Sequence, residues 1–278
     1  MKYKLIAIDM DGTLLNSENY ISERTRQALI AAKEKGVHVV LSTGRILKSA
    51  IYYSKQLGLA NPIVASNGGI MVDGESNVLF KSPLDKSSIK EAVKMADDEG
   101  IYCHLYDESR FYSSRKVQEV IEFYGETDGK LNINLELFKN IDDVLFSKDL
   151  NIYKLIFIDE DPEKLGKFRE KISKVENISI SSSWSNNIEA MALDVSKGET
   201  LKKLFKMLGV ESEDVIAIGD SENDLSMLNI AGLSIAMGNG SDSIKEKVDY
   251  ITDTNDNDGV AKAIEKFVLE SDGSKDES

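Results

Sequence analysis

Leu5-Ile6-Ala7-Ile8-Asp9-Met10-Asp11-Gly12-Thr13-Leu14 is the stretch from which the fold of this chain is read. The continuously apolar run Leu5 to Ile8 breaks off into two carboxylates separated by one residue, then a glycine and a hydroxyl. A run without polar alternation reads as a strand covered on both faces, as in a parallel sheet. Gly12 lets the backbone turn sharply behind it. Two carboxylates this close repel one another unless a cation lies between them. A hard divalent cation such as Mg2+, which takes oxygen ligands and keeps waters or phosphate oxygens, resolves that repulsion. The same residue types also build an ordinary acidic turn, and the rest of the chain has to decide between the two.

Downstream, Ser22 reads as an N-cap for a helix carrying Thr25, Ala28, Leu29 and Ala32, stopped by Gly36. Val37 to Leu41 is a second strand-like run ending in Ser42-Thr43-Gly44-Arg45. A helix with Leu47, Ala50, Ile51 and Leu57 closes at Gly58, and Pro62 to Ala65 runs into Ser66-Asn67-Gly68-Gly69. Strand and helix in alternation predict an α/β domain, a Rossmann-like three-layer core with a parallel sheet. In such sheets the ligand crevice lies at the carboxyl ends of the strands. Asp9, Asp11, Thr43 and Asn67 all fall there.

The rhythm then changes. Met71-Val72 and Val78 to Phe80 read as a hairpin pointing away from the sheet. Residues 83–189 read as an inserted α+β domain with antiparallel pairing. Its predicted helices are around Ile89 to Ala96, Val117 to Tyr124 and Pro162 to Ile172. Its predicted strands are Ile101 to Tyr106, Phe111 to Ser113, Ile133 to Phe138, Tyr153 to Ile158 and Ile178 to Ser182. After Asp194 the α/β pattern returns. A helix opens at Lys197, and Val215 to Ile218 leads into Gly219-Asp220-Ser221-Glu222-Asn223-Asp224. The expectation is a catalytic core of residues 1–82 and 190–270, split by residues 83–189. Residues 271–278, polar and without periodicity, read as a disordered tail.

Composition bounds the function. The 278 residues are 41% hydrophobic and 29% charged, a usual balance for a globular chain. No apolar run approaches the roughly 20 residues that span a bilayer. The formal net charge of −14 disfavours nucleic acid, which calls for a basic face. Cys103 is the sole cysteine, and no signal-peptide pattern opens the chain, so a reducing cytoplasm is expected. Asp9, Asp11, Thr43, Asp220 and Asp224 at strand ends, with Lys197 nearby, suit phosphoryl transfer. A carboxylate can attack phosphorus, a cation withdraws the repelling charge, and a second carboxylate can serve as acid and base.

Asp9-Met10-Asp11-Gly12-Thr13, Ser42-Thr43-Gly44-Arg45, Lys197-Gly198 and Gly219-Asp220-Ser221-Glu222-Asn223-Asp224 resemble the four ordered motifs of the haloacid dehalogenase superfamily. The insert resembles the type C2 cap of its Cof-type sugar-phosphate phosphatases. The resemblance implies a Mg2+-dependent phosphatase acting on a small phosphorylated metabolite through an aspartyl-phosphate. It implies Asp9 as nucleophile and Mg2+ ligand. Asp11 would be the acid and base and would reach the metal through its backbone carbonyl. The Met10 backbone N–H, Thr43, Gly44, Lys197 and Asn223 would bind phosphate. Asp220 would be the other carboxylate ligand, Asp224 would stand behind the metal, and Ser221 would lie near it. Of residues outside these roles, Arg45 either binds substrate or pairs with an acidic neighbour on the surface. Asn67 is a turn residue or a substrate contact. His104 and Trp184, in the insert, are candidate substrate contacts beside the plainer reading that they pack or cap loops. Phosphotransfer to another sugar hydroxyl, as in phosphohexose mutases, uses the same residues. A phosphorylatable receiver-like signalling module is the competing reading from another class.

Overall fold

The computed structural model describes residues 2–116, 135–147 and 150–270. The expected helix at Val117 to Tyr124 and the tail at 271–278 lie outside them. The first unit is a sheet of eight strands: β1 (Leu5–Ile8), β2 (His38–Ser42), β3 (Ile63–Ala65), β4 (Ile70–Val72), β5 (Val78–Lys81), β12 (Val215–Gly219), β13 (Leu233–Ala236) and β14 (Tyr250–Ile251). Its order is β14-β13-β12-β1-β2-β3-β4-β5. The strands from β14 to β3 run parallel. β1 sits at the centre, with Leu5 beside both His38 and Val215.

Alternation along β1 explains the layers. Ile6 and Ile8 pack into a cluster with Leu29 of α1 (Glu23–Glu34), Ala50 and Tyr53 of α2 (Leu47–Leu57) and Val260 of α9 (Gly259–Ile264). Leu5 and Ala7 point to the other face. There they meet Leu201, Leu204 and Phe205 of α6 (Lys197–Leu208), Met227 and Leu228 of α7 (Leu225–Leu228) and Ile244 of α8 (Asp242–Lys245). Both faces of the strand are therefore buried, as its unbroken apolar run requires. α1 begins where expected: Thr25 N donates to the Ser22 hydroxyl at 3.1 Å. The hairpin β4–β5 departs from expectation. It continues the sheet instead of leaving it, pairing antiparallel to β3, because Ile70, Met71 and Val72 are all fully buried.

The inserted unit is a second sheet, ordered β10-β11-β9-β6-β7-β8. Its strands are β6 (Tyr102–Tyr106), β7 (Phe111–Ser113), β8 (Leu135–Leu137), β9 (Lys154–Ile158), β10 (Ile178–Ser181) and β11 (Asn187–Ala192). One face packs on α3 (Lys86–Asp98), α4 (Ile141–Ser147) and α5 (Pro162–Ile172) through Leu105, Leu155, Phe157 and Ala190. From the other face Tyr106, Phe111 and Ile156 meet Ile46 of the core. Two elements were not anticipated: α4, and β11, which pairs with β9 and β10 and ends at Ala192. No helix among the described residues is long and apolar enough to cross a membrane.

Candidate active site

The parallel strands of the core deliver their carboxyl ends to one edge, and the insert covers it. β1 ends at Asp9, and the chain then makes a tight turn in which Leu14 N donates to Asp9 O at 3.2 Å and Leu15 N to Met10 O at 2.9 Å. Gly12 enters that turn at φ +73°, and a Cβ there would lie 2.7 Å from Asp220 Oδ2. Met10 is fully buried in the core, which leaves only its backbone for the cleft. Asp9 is buried, and Lys197 Nζ bonds its Oδ1 at 2.5 Å and Asp224 Oδ1 at 2.7 Å. Thr13 Oγ1 donates to Asp220 Oδ1 at 2.7 Å, and Ser221 Oγ to Asp220 Oδ2 at 2.8 Å. Asp224 Oδ2 accepts from the backbone N–H groups of Asp220 and Ser221 at 2.9 and 3.1 Å, which fixes the loop after β12.

One oxygen each from Asp9, Asp220 and Asp224 lies within 4.8 Å of the others. Burial, and then the Asp224 charge, push the Asp9 carboxyl well above the usual carboxylate range. The same two causes raise Asp220 to about 7. Burial disfavours the Lys197 charge, but Asp224 and Asp9 outweigh it and hold the ammonium upward. Three crowded carboxylates against one ammonium leave surplus negative charge, and an all-oxygen donor set suits a hard divalent cation. The residues present therefore fit Mg2+.

Asp11 is governed differently. Burial raises it, but the Arg45 guanidinium overcomes that and holds it below its ordinary value. Arg45 grips both oxygens, Nη2 to Oδ1 at 2.6 Å and Nε to Oδ2 at 2.9 Å. It is itself buried, bonded to Ser49 Oγ at 3.1 Å, with its guanidinium carbon 4.9 Å from the Tyr53 ring centre. The pairing lies within the site, with the Arg45 side chain 8% and that of Asp11 34% exposed. Thr43 is fully buried at the end of β2, and its hydroxyl accepts from Arg45 N at 3.1 Å. A Cβ on Gly44 would come within 2.9 Å of Asn67 Oδ1 and 3.3 Å of Lys154 Nζ.

Asp9, Asp11, Gly44, Arg45, Ser221, Asn223 and Trp184 border one cavity. Trp184 stands at it 41% exposed. Two candidates, His104 and Asn67, lie off this cavity. His104 is buried behind Tyr106, stacked at 5.2 Å, and does not border this cavity. Tyr106, on the same strand face two residues on, borders it instead. Burial, then the Lys154 charge, lower the His104 imidazole to about 3. Asn67 is also absent from the cavity wall; its Nδ2 donates to Glu189 Oε2 at 2.7 Å. Asn223 borders the cavity; its Nδ2 donates to Asn67 Oδ1 at 3.2 Å, and its Oδ1 has no partner among the described residues. Lys154, Glu189, Phe111 and Ile156 also line the cavity and were not anticipated. The available signal was Lys154 inside an apolar strand run, since lysine is rarely buried unless paired; Glu189 stands in a stretch of mixed polarity that gave none.

The chain matches the family described as haloacid dehalogenase-like hydrolases over residues 6–264. It is 37% identical over 266 residues to the 5-amino-6-(5-phospho-D-ribitylamino)uracil phosphatase YcsE of Bacillus subtilis, covering 96% of each chain. It is 31% identical to the phosphatase YwpJ of the same organism, covering 93% of this chain and 97% of that one. Among solved structures, a haloacid dehalogenase-like hydrolase from B. subtilis superposes with a TM-score of 0.87 at 29% identity, covering 95% of this chain and 100% of that one. The subclass IIB sugar phosphatase BT4131 superposes at 0.82 with 25% identity, covering 95% and 98%.

Proposed function

Because the chain belongs to the haloacid dehalogenase-like hydrolase family and is a phosphomonoesterase, we propose that it hydrolyses a small phosphate monoester through a phosphorylated Asp9. The observation that carries this reading is the buried Asp9 carboxylate. It is bonded to Lys197, crowded by Asp220 and Asp224, and sits in a cavity that Asp11 also borders.

Asp9 Oδ attacks phosphorus, the ester P–O bond breaks, and the leaving oxygen takes a proton from Asp11. Water then attacks the phosphoaspartate while Asp11 accepts its proton, releasing inorganic phosphate and restoring the Asp9 carboxylate. Arg45 keeps Asp11 ionised at rest, and an arriving phosphoryl group, a like charge, pushes it back toward the protonated form. Thr43 and the Gly44 backbone receive phosphoryl oxygens, and Lys197 holds Asp9 in line. Mg2+, held by Asp9, Asp220 and the Asp11 carbonyl with Asp224 behind, would supply positive charge that relieves repulsion between nucleophile and phosphate. The lone, buried Cys103 is at ease in a reducing cytoplasm.

The test is phosphate release from a panel of monoesters, with Mg2+ or with a chelator. The panel includes 5-amino-6-(5-phospho-D-ribitylamino)uracil, the compound named in the YcsE relative. Release is expected with Mg2+ only. Asp9→Asn is expected to lose at least about a thousandfold in kcat while melting as the parent does. Metal-independent turnover, an Asp9→Asn variant at parental rates, or isomerised sugar phosphate in place of released phosphate overturns the proposal.

A further inference from the structure

Among the described residues, a buried ion pair on the insert faces the loops at the cleft. Lys154 on β9 and Glu189 on β11 lie 2.8 Å apart, Nζ to Oε1, and each side chain is 2% exposed. Lys154 Nζ also donates to Gly44 O at 2.5 Å and stands 4.6 Å from the Tyr106 ring centre. The second Glu189 oxygen accepts from Asn67 Nδ2 at 2.7 Å and is 3.5 Å from Asn223 Nδ2. Gly44, Asn67 and Asn223 belong to the loops that follow β2, β3 and β12. One charge pair from the insert therefore touches all three loops.

A buried ion pair adds little net stability, because desolvation offsets attraction, and its best-attested use is to fix one register. Here the register has a chemical consequence. A peptide carbonyl and the N–H that follows it point in opposite directions. With Gly44 O drawn to Lys154, the next N–H, that of Arg45, turns to Thr43 Oγ1. Glycine is what permits the approach, since any side chain at 44 would crowd both Lys154 Nζ and Asn67 Oδ1.

We propose that Lys154 and Glu189 are positioning residues: the pair registers the insert on the three loops and holds the Gly44–Arg45 peptide so that its N–H occupies Thr43 Oγ1, which leaves the Thr43 hydroxyl hydrogen for a phosphoryl oxygen. This rests on the phosphatase reading above. Loss of the pair then misplaces reacting groups more than it weakens substrate binding, so kcat suffers before KM.

Lys154→Met/Glu189→Leu removes both charges together and leaves neither unpaired. It is expected to stay folded and to lose about 10- to 100-fold in kcat, with KM within about threefold. Asn67→Asp, which sets a carboxylate against Glu189 from the core side, is to show the same split. Trp184, the only tryptophan, borders the cavity, so its emission reports ligand binding without turnover. Inorganic phosphate with Mg2+ is expected to change that emission in parent and variants with half-saturation within about threefold, but with a smaller amplitude in the variants, whose insert no longer holds its register. Parental kcat in a folded double variant, or in Asn67→Asp if the double variant does not fold, overturns the proposal. So does an emission change equal in parent and variants. A parent that releases phosphate from no monoester defeats the phosphatase reading instead, and the emission comparison still decides this one.

Discussion

At Gly12 a missing carbon lets two loops meet. Its φ of +73° disfavours any L side chain, and a Cβ would press on the Asp220 carboxylate at 2.7 Å. Gly12→Ala should lose about 1–3 kcal/mol of stability and shift Mg2+ half-saturation upward, read by denaturant unfolding and by a Mg2+ titration of activity. Unmoved values in both would refute the argument. The sequence placed Asp9, Thr43 and Asp220 just after strands and Lys197 at the start of a helix, and the structure has them there. The pairing of Lys154 with Glu189 was not legible in it. They are 35 positions apart, and only the adjacency of β9 and β11 brings them together. That Tyr106 borders the cavity and His104 packs behind it was not legible for a related reason: which of two residues on one strand face reaches the cavity depends on how the sheets are set against each other.

Among elements, β6 carries a titratable group that folding keeps neutral. Free imidazole titrates near 6.5, whereas burial, reinforced by Lys154, lowers His104 to about 3. Between those values the unfolded chain binds a proton that the folded chain does not. Stability therefore falls as pH drops from about 6.5 toward 3. His104→Phe, beside Tyr106 and Phe111 at 5.2 and 5.8 Å, keeps the aromatic packing and removes the titration. Its melting temperature should decline less than the parent's over that range, and parallel declines would sink the idea. Strands with unbroken apolar runs, such as β1 and β12, were readable because burial on both faces demands that composition. β11 was missed because Asn187-Ile188-Glu189-Ala190 mixes polar and apolar residues, and its polar members are satisfied only by distant partners.

For the whole molecule, the acidic cluster ties the two ends of the core together, Asp9 from the first strand and Asp220 from the twelfth. A cation bound there binds the folded chain alone. At about 100 times its dissociation constant it adds roughly 2.7 kcal/mol, or about 5–10 °C in melting temperature for a chain this size. Mg2+ should raise the melting point by that order and should fail to do so in Asp220→Asn; equal shifts in both would count against the site. That one core is divided by an insert was readable from the return of the α/β rhythm at Lys197. That β11 belongs to the insert's sheet was not, since its residues look like either unit.

Because β1 lies between β2 and β12, with Leu5 beside both His38 and Val215, it waits for its second neighbour while the protein is being made. At roughly 5–20 residues per second, a nascent chain holds β1 half-paired for about ten to thirty seconds after β2 has emerged from the ribosome. An open central strand is a template for wrong pairing, so this is the interval in which a chaperone has most to protect. A product that terminates anywhere within the insert never receives Lys197, Asp220 or Asp224, so of the acidic cluster and its lysine it keeps Asp9 alone.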